Sequence, residues 1–376
     1  MFLGLALASV AINLGRQALP PLLPTIIDDL AISPAAAGFA LTVMWGLYAL
    51  LQYPAGLVSD RSRRGALVLG LILIAVGFGL LTATRSYETL LLATAVTGLG
   101  AAFFMIANRV VLSDLYVRRR GIAFGVNIAA GQLGSTAAAG LAVLALAVAT
   151  WQAAFLPLVG VLALTAGAFH VLGTDSYAIG TIDWNVKSTA RRVFAETEIR
   201  RILVAYTIVI FAWQGITAFI PAFLQAERGL SPALAGGGFA TIFAIGLVIQ
   251  PLSGWISDRF PRPAVAAGAI ITAATGLALL LVVESLVGIL ITIVIFAVGL
   301  SAFPPVMQAY LMDVFPEDTK GGDLGAFKTI YEGIGGIGPT YVGVVASMAS
   351  YTVAFAGLLV ILIGSAGLLA WIAWRR

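Results

Sequence analysis

Cysteine is absent from all 376 residues, which excludes disulfides, thiolate nucleophiles and cysteine-ligated metal centres. Histidine is nearly as scarce. His170 stands alone, so a serine–histidine hydrolase or a histidine-rich metal cluster has almost nothing to draw on. Charged residues make up only 10% of the chain, against about a quarter in an ordinary soluble domain. No Gly-x-x-x-x-Gly-Lys-Ser/Thr loop occurs, which argues against a nucleotide-driven pump within the chain. These absences lead to the expectation of no enzyme, no cofactor and no metal.

What is present is apolar. Hydrophobic residues form 60% of the chain and its mean hydropathy is +1.03. A membrane-spanning helix needs about 20 apolar residues, and twelve such runs are found, near 2–24, 35–57, 65–84, 88–112, 120–148, 151–172, 200–224, 233–256, 264–283, 286–312, 323–347 and 351–374. The short alternating segments of a transmembrane β-barrel are missing. The expected class is therefore an all-α membrane protein with twelve spans. With the N-terminus inside, sixteen basic residues fall on the cytoplasmic side and only Arg85 and Arg228 on the other, which sets both termini in the cytoplasm of a cell membrane. The pI near 9.5 then reflects sidedness, with no nucleic-acid partner. The first apolar run lacks a basic leader region and continues into Pro20-Pro21, so it is expected to stay as a span.

A short turn occurs twice. Gly56-Leu57-Val58-Ser59-Asp60-Arg61-Ser62-Arg63-Arg64 returns as Gly254-Trp255-Ile256-Ser257-Asp258-Arg259-Phe260-Pro261-Arg262, displaced by 198 residues. Upstream, Ile32-Ser33-Pro34-Ala35-Ala36-Ala37-Gly38 matches Leu230-Ser231-Pro232-Ala233-Leu234-Ala235-Gly236, and Gln52 falls on Gln250. A unit repeated at half the chain length means two copies of one helical bundle. The plan is a six-helix bundle over 1–172, a cytoplasmic linker over 173–199 and a second six-helix bundle over 200–376.

Twelve spans in a 6+6 arrangement, a long middle loop and Gly-x-x-x-Asp-Arg-x-x-Arg after spans 2 and 8 resemble the major facilitator superfamily. That resemblance implies a secondary active transporter working by alternating access, with spans 1, 4, 7 and 10 lining a cavity, and a monomer. It also implies a gating role for the loops. Asp60 would face the start of span 11 near Gly321-Gly322, and Asp258 the start of span 5 near Gly121. A carboxylate is favoured at such a positive helix end. Gly56 and Gly254 would allow close approach of neighbouring backbone. Arg61, Arg64, Arg259 and Arg262 would pair with Asp114 and Asp313, which end spans 4 and 10. The plainer alternative makes these arginines topology determinants alone.

Few charges are placed within the apolar runs. Arg16 stands past the middle of span 1, with Asn13 about one turn before it and Gln17 next to it. A central arginine costs about 2.5–3.5 kcal/mol even on low estimates, so it should face a wet cavity or an anion; the alternative is a side chain snorkelling to the interface. Arg109 follows Asn108 in the inner half of span 4. Lys328 and Glu332, four residues apart in span 11, share one face with Tyr331 beside them. They read equally as a structural pair or as a proton- or substrate-linked switch.

Three cations against one carboxylate favour an anionic cargo. The stretch from Asn108-Arg109 through Arg118-Arg119-Arg120-Gly121 to Gly131-Gln132-Leu133-Gly134 resembles the organic-anion branches of the superfamily, in which Arg16 matches a carboxylate-binding position. Gly15, Ala95 and Ala102 stand where those branches carry charged residues. The expected function is transport of a small organic anion, with Arg16, Arg109, Asn13, Gln17, Lys328 and Tyr331 contacting substrate and Glu332 carrying a proton. A multidrug or lipophile exporter of the same fold is the alternative, and a non-transporting membrane sensor the remaining one.

Overall fold

The computed structural model describes residues 2–116, 120–173, 196–314 and 320–375, without the side chains of residues 60, 120–122 and 320–325. The chain divides into two compact units. Unit 1, Met1–Trp184, holds α1 (Phe2–Asp29), α2 (Pro34–Leu50), α3 (Gln52–Arg61), α4 (Arg63–Thr82), α5 (Tyr87–Leu115), α6 (Arg120–Val148), a 3₁₀ turn (Trp151–Phe155) and α7 (Leu156–Leu172). Unit 2, Asn185–Arg376, holds α8 (Thr197–Ala226), α9 (Pro232–Ser257), α10 (Arg262–Val282), α11 (Leu286–Val314), α12 (Lys320–Gly335), α13 (Gly338–Met348) and α14 (Tyr351–Trp374). The linker expected over 173–199 lies outside the described residues from 174 to 195.

Among the described residues, ten segments are long and apolar enough to cross a bilayer, and the bent pair α2–α3 makes an eleventh. Together, α12 and α13 occupy the remaining place, so the chain is an all-α membrane protein of twelve spans. Two spans expected to be continuous are broken. The second bends by 42° between α2 and α3. Pro54, third residue of α3, has no N–H to offer the carbonyl of Leu50 four residues back, and its ring crowds that carbonyl. The eleventh stops at Gly335 and restarts at Gly338-Pro339, where glycine loosens the helix and proline suits a first turn. Helices α1, α5 and α8 run past their expected ends at 24, 112 and 224 to Asp29, Leu115 and Ala226. A helix does not stop where its apolar stretch does, because its backbone bonds persist into the interface.

The internal repeat continues beyond the loop motif, but its displacement changes. Ser33 and Ser231, 198 apart, both cap their helices by accepting a hydrogen bond from the backbone N–H three residues on, at 3.1 and 3.3 Å. Helix α4 then begins at Arg63 behind a single cap residue, Ser62, whereas Phe260-Pro261 precede α10 at Arg262. The displacement is 199 from there. A Cβ built on Gly77 would lie 2.9 Å from Thr97 N, and one on Gly276 2.6 Å from Phe296 Cα; Gly100 meets Ile74 N at 2.7 Å and Gly299 meets Ala273 Cα at 2.8 Å. Each pair of partners is again 199 apart. Thus α4 packs on α5, and α10 on α11, through backbone contact that only glycine permits.

By the last spans the displacement is 200. Leu158, Leu162, Thr165, Ala166 and Phe169 form the buried face of α7, and Leu358, Leu362, Ser365, Ala366 and Leu369 that of α14. One face of each helix recurs residue by residue. The added residues have gone into the connections, where a shift does not rotate a packed face.

Candidate functional site

Arg16 is 4% exposed and is held inside unit 1. Its guanidinium carbon lies 4.2 Å from the ring centroid of Trp45 and 4.7 Å from that of Tyr48. The two rings are three residues apart on α2 and meet edge to face at 5.9 Å. Their electron-rich faces stabilise the cation by about 0.5–2 kcal/mol each, which offsets much of the burial cost. A snorkelling side chain would carry its charge outward to the interface; this one is directed at the rings of the neighbouring helix. Gly15, one residue earlier, faces the other way, and a Cβ there would lie 3.0 Å from Leu158 Cδ1. A larger side chain there would have to displace the ends of Phe78 and Leu158.

Further along α1, Ser9, Asn108 and Asn127 join α1, α5 and α6. Asn108 Nδ2 donates to Asn127 Oδ1 at 2.9 Å and approaches Ser9 Oγ at 3.3 Å, while Asn127 Nδ2 donates to Ser9 Oγ at 3.2 Å. Ser9 and Asn108 are 1% and 2% exposed, so this polar cluster is shielded from lipid. Asn13 Nδ2 donates to Ser9 O at 2.8 Å, which ties it to this cluster, while Gln17 is half-buried. Seven residues bring Ser9 nearly two helical turns from Arg16 on almost the same face. Arg109 is exposed although its neighbour Asn108 is buried, and the structure does not place it with Arg16.

In unit 2, Gln214 occupies the register position of Arg16, 198 residues on, and is 5% exposed. The duplicated scaffold thus buries a cation in one copy and a neutral amide in the other. An aromatic cluster follows on α8, α11 and α12. Tyr206 stacks on Tyr331 with centroids 4.2 Å apart and meets Phe303 at 5.2 Å and Phe327 at 6.0 Å. Tyr206 and Tyr331 also share a side-chain hydrogen bond. Lys328 and Glu332 are both half-buried. They make no ion pair with each other among the described residues, although their spacing puts them on one helix face. The aromatic residues here fill the space between helices, leaving the two charges at its margin.

The loop arginines divide their partners differently from expectation. Asp114 pairs with Arg63, not with Arg61 or Arg64. Arg64 instead donates to the backbone carbonyl of His170, and Arg61 to Leu57 O on its own helix at 3.2 Å. In unit 2, Arg262 donates to Asp313 and to Ala309 O at 3.1 Å, with Asp258 at 3.6 Å. Arg259 lies 3.7 Å over the Trp255 ring and donates to Trp255 O, so it too stays on its own helix. The change of displacement explains the difference: Arg63, not Arg64, is 199 residues before Arg262, and Asp114 is 199 before Asp313. Each carboxylate ends a helix, where the dipole disfavours negative charge, and the arginine compensates.

The expected close approach at the motif glycines is not found. A Cβ on Gly56 would meet only Ile106 Cγ2, at 3.9 Å, and one on Gly254 nothing within 4 Å. The carboxylate of Asp60 lies outside the described residues, as do the side chains around 121 and 321–322, so the helix-end contacts expected there are not described.

A second duplicated device was missed in the sequence. Asp29 and Glu227, 198 apart, end the first span of each unit and reach the start of its last. Asp29 Oδ2 accepts from Trp151 Nε1 at 2.8 Å and Gln152 Nε2 at 3.3 Å. Glu227 accepts from the backbone N–H of Tyr351 and of Thr352, the latter at 3.0 Å, and from the Thr352 hydroxyl. The signal was available: extending the 198-residue displacement downstream from Arg16 reaches both acids.

The family model described as Major Facilitator Superfamily matches residues 5–246 and 202–376. The nitrite extrusion protein of Bacillus subtilis (strain 168) is 24% identical over 242 residues, 63% of this chain; the match spans 60% of that relative's length. Among solved structures, a bacterial homolog of the human lysosomal transporter Spinster, inward-facing and occupied, superposes with a TM-score of 0.84 at 18% identity, covering 100% of this chain and 96% of that one. A mutant of the nucleoside transporter NupG gives 0.79 at 15% identity, over 100% and 99% of the two chains.

Proposed function

This chain belongs to the major facilitator superfamily of secondary, non-enzymatic transporters, and on that premise we propose that its cargo is a small carboxylate-bearing anion. Arg16 carries this reading. It is a permanent cation buried in the first span and oriented by two aromatic rings. A guanidinium offers a planar set of donors that matches a carboxylate in bidentate fashion. In the proposed cycle the anion binds near mid-membrane and access alternates between the two sides, with Asp60, Asp258 and the arginine–aspartate pairs of the loops acting on the gate. Asn13 and Gln17 contribute hydrogen bonds beside Arg16, and Lys328, Tyr331 and Arg109 supply further contacts. Glu332 is the proposed proton carrier. The protein acts as a monomer in the cell membrane with both termini cytoplasmic, as the bias of sixteen basic residues against two supports.

A second reading is favoured by one observation: the curated relative is named for nitrite, an anion without carbon. The two readings share Arg16 and differ in cargo size. Thermal-shift titration of the purified protein with small carboxylates, with the matching amides, with nitrite and nitrate, and with lipophilic cations separates them. Carboxylates should stabilise where their neutral amides do not. Stabilisation by nitrite alone would favour the second reading, and stabilisation by lipophilic cations alone would overturn both. Proton coupling is tested in proteoliposomes: an imposed pH gradient should drive accumulation, and Glu332→Gln should abolish it while leaving exchange intact. Wild-type uptake that ignores the gradient, or full accumulation by Glu332→Gln, would remove Glu332 from this role.

A further inference from the structure

The break in the eleventh span leaves backbone oxygens of unit 2 without donors. Helix α12 ends at Gly335 and α13 begins at Gly338, midway along the span, and Gly335, Gly336, Gly338 and Pro339 are all buried. The turn is closed by Gly336 N–H on Glu332 O at 2.8 Å and Ile337 N–H on Ile334 O at 3.1 Å. Helical continuation would require an N–H at position 339 for the carbonyl of Gly335, and proline has none. Among the described residues no backbone N–H beyond the break reaches Gly335 O or Gly336 O. Buried acceptors inside a span are costly unless another group satisfies them.

Helix α8 brings a third oxygen. A Cβ built on Gly335 would lie 3.1 Å from Ile210 Cβ, and one on Gly338 2.9 Å from Gly215 N and 3.2 Å from Phe211 C. Gln214 falls between these contacts around α8, about 40° from Ile210 and about 60° from Phe211, on the face applied to the break. Helical side chains lean toward the start of their helix, which carries this amide toward Gly335. Gln214 is 5% exposed, yet its side chain makes no hydrogen bond among the described residues. On α12, Glu332 lies within about 60° of both Gly335 and Gly336. It is half-buried and makes no ion pair with Lys328 among the described residues.

Two carbonyls, an amide oxygen and a carboxylate form an all-oxygen set, which suits a hard cation. A monovalent ion with one carboxylate leaves the site neutral, the state of lowest energy inside a bilayer. The close packing of α8 on both glycines favours a small ion. An anion is disfavoured, because Glu332 repels it and Pro339 removes a first-turn donor from α13. The C-terminal end of a half-helix with unwound carbonyls is a cation-coordinating arrangement in broken membrane helices.

We infer that the break in the eleventh span is a sodium site, with Gly335 O, Gly336 O, Gln214 Oε1 and the Glu332 carboxylate as its donors. Sodium and a proton would exclude one another at Glu332, and the site assumes neither the proposed cargo nor proton carriage. The measurement is thermal unfolding of the purified protein in detergent at fixed pH, titrated with NaCl, KCl or choline chloride at constant ionic strength. NaCl should raise the melting temperature saturably, and the other two salts should not. Glu332→Gln should abolish the effect. Gln214→Leu should weaken apparent sodium affinity about tenfold or more, as loss of one polar contact to a charged group does. Pro339→Ala supplies an N–H for Gly335 O and alters no side-chain oxygen. It should weaken sodium binding while melting, without sodium, at or above the wild-type temperature. Equal responses of wild type to the three salts would overturn the assignment. So would a full sodium response in either Gln214→Leu or Pro339→Ala, since the break would then not hold the ion. Should Glu332→Gln fail to fold, the other two variants still decide the matter. Uptake that ignores a pH gradient would remove proton carriage from Glu332 and leave the sodium response standing, so the two readings fail separately.

Discussion

Replacing Arg16 by glutamine should separate the anion-binding role of this residue from its contribution to stability. Glutamine is the informative choice because Gln214 already fills the equivalent position in unit 2 at 5% exposure, so the scaffold accommodates an amide of that length. Two terms act on stability. Loss of the contacts with Trp45 and Tyr48 removes about 0.5–2 kcal/mol each, and relief of the buried charge returns about 2.5–3.5 kcal/mol. They nearly cancel, so the melting temperature should move little. Binding has no such compensation. A charge-assisted hydrogen-bonded contact is worth about 1.5–3 kcal/mol, which lowers anion affinity roughly 10- to 150-fold. Arg16→Lys should recover only part, since an ammonium is a point charge and cannot reproduce the planar fork. Isothermal titration of wild type and both variants in one detergent and one buffer measures the affinities, and a melting curve on each sample measures stability. If Arg16→Gln melts like wild type and binds the same anion within twofold, the cation is not the anchor.

Two further outcomes test the packing. Gly299→Ala places a Cβ against the Ala273 backbone, whereas Gly268→Ala meets nothing within 4 Å; the first should cost about 1–3 kcal/mol by overpacking and the second should be neutral or slightly stabilising, as read by thermal unfolding in detergent, and equal effects would show that the α10–α11 contact is not rigid. Glu227→Gln should lower stability by about 1–2 kcal/mol, because a carboxylate that caps the α14 N-terminus is lost; Asp29→Asn, whose partners are side-chain donors, should cost less, and the reverse ranking would argue against helix capping.

Much of the fold was legible because it follows from two coarse signals, the length of the apolar runs and the 198-residue repeat. What could not be read were the places where a single residue changes the geometry. Pro54 interrupts the second span in a run whose hydropathy is continuous, and Gly335 to Pro339 do the same in the eleventh. Counting at a fixed 198 matched Arg64 to Arg262, whereas the helices match Arg63 to Arg262, because two residues stand where Ser62 stands alone. Arg16 stood out in the sequence because a buried cation is costly anywhere. Ser9 did not, since a serine in a membrane helix usually satisfies its hydroxyl on its own backbone, and only the fold brings Asn108 and Asn127 to it. The spacing of Lys328 and Glu332 showed a shared helix face but not whether the side chains would meet.

The stepwise repeat, 198 then 199 then 200, gives this molecule an internal control at the packed positions that recur in both halves. Where the helices are continuous in both halves, a packed pair has a counterpart in a matching backbone setting: Thr97 opposite Gly77 has its twin in Phe296 opposite Gly276. Exchanging such twins transplants a residue already tolerated in an equivalent environment, so a loss of transport after exchange at Arg16 and Gln214, beside silence after exchange at Thr97 and Phe296, would distinguish the chemistry of the cargo from the architecture that both halves inherited.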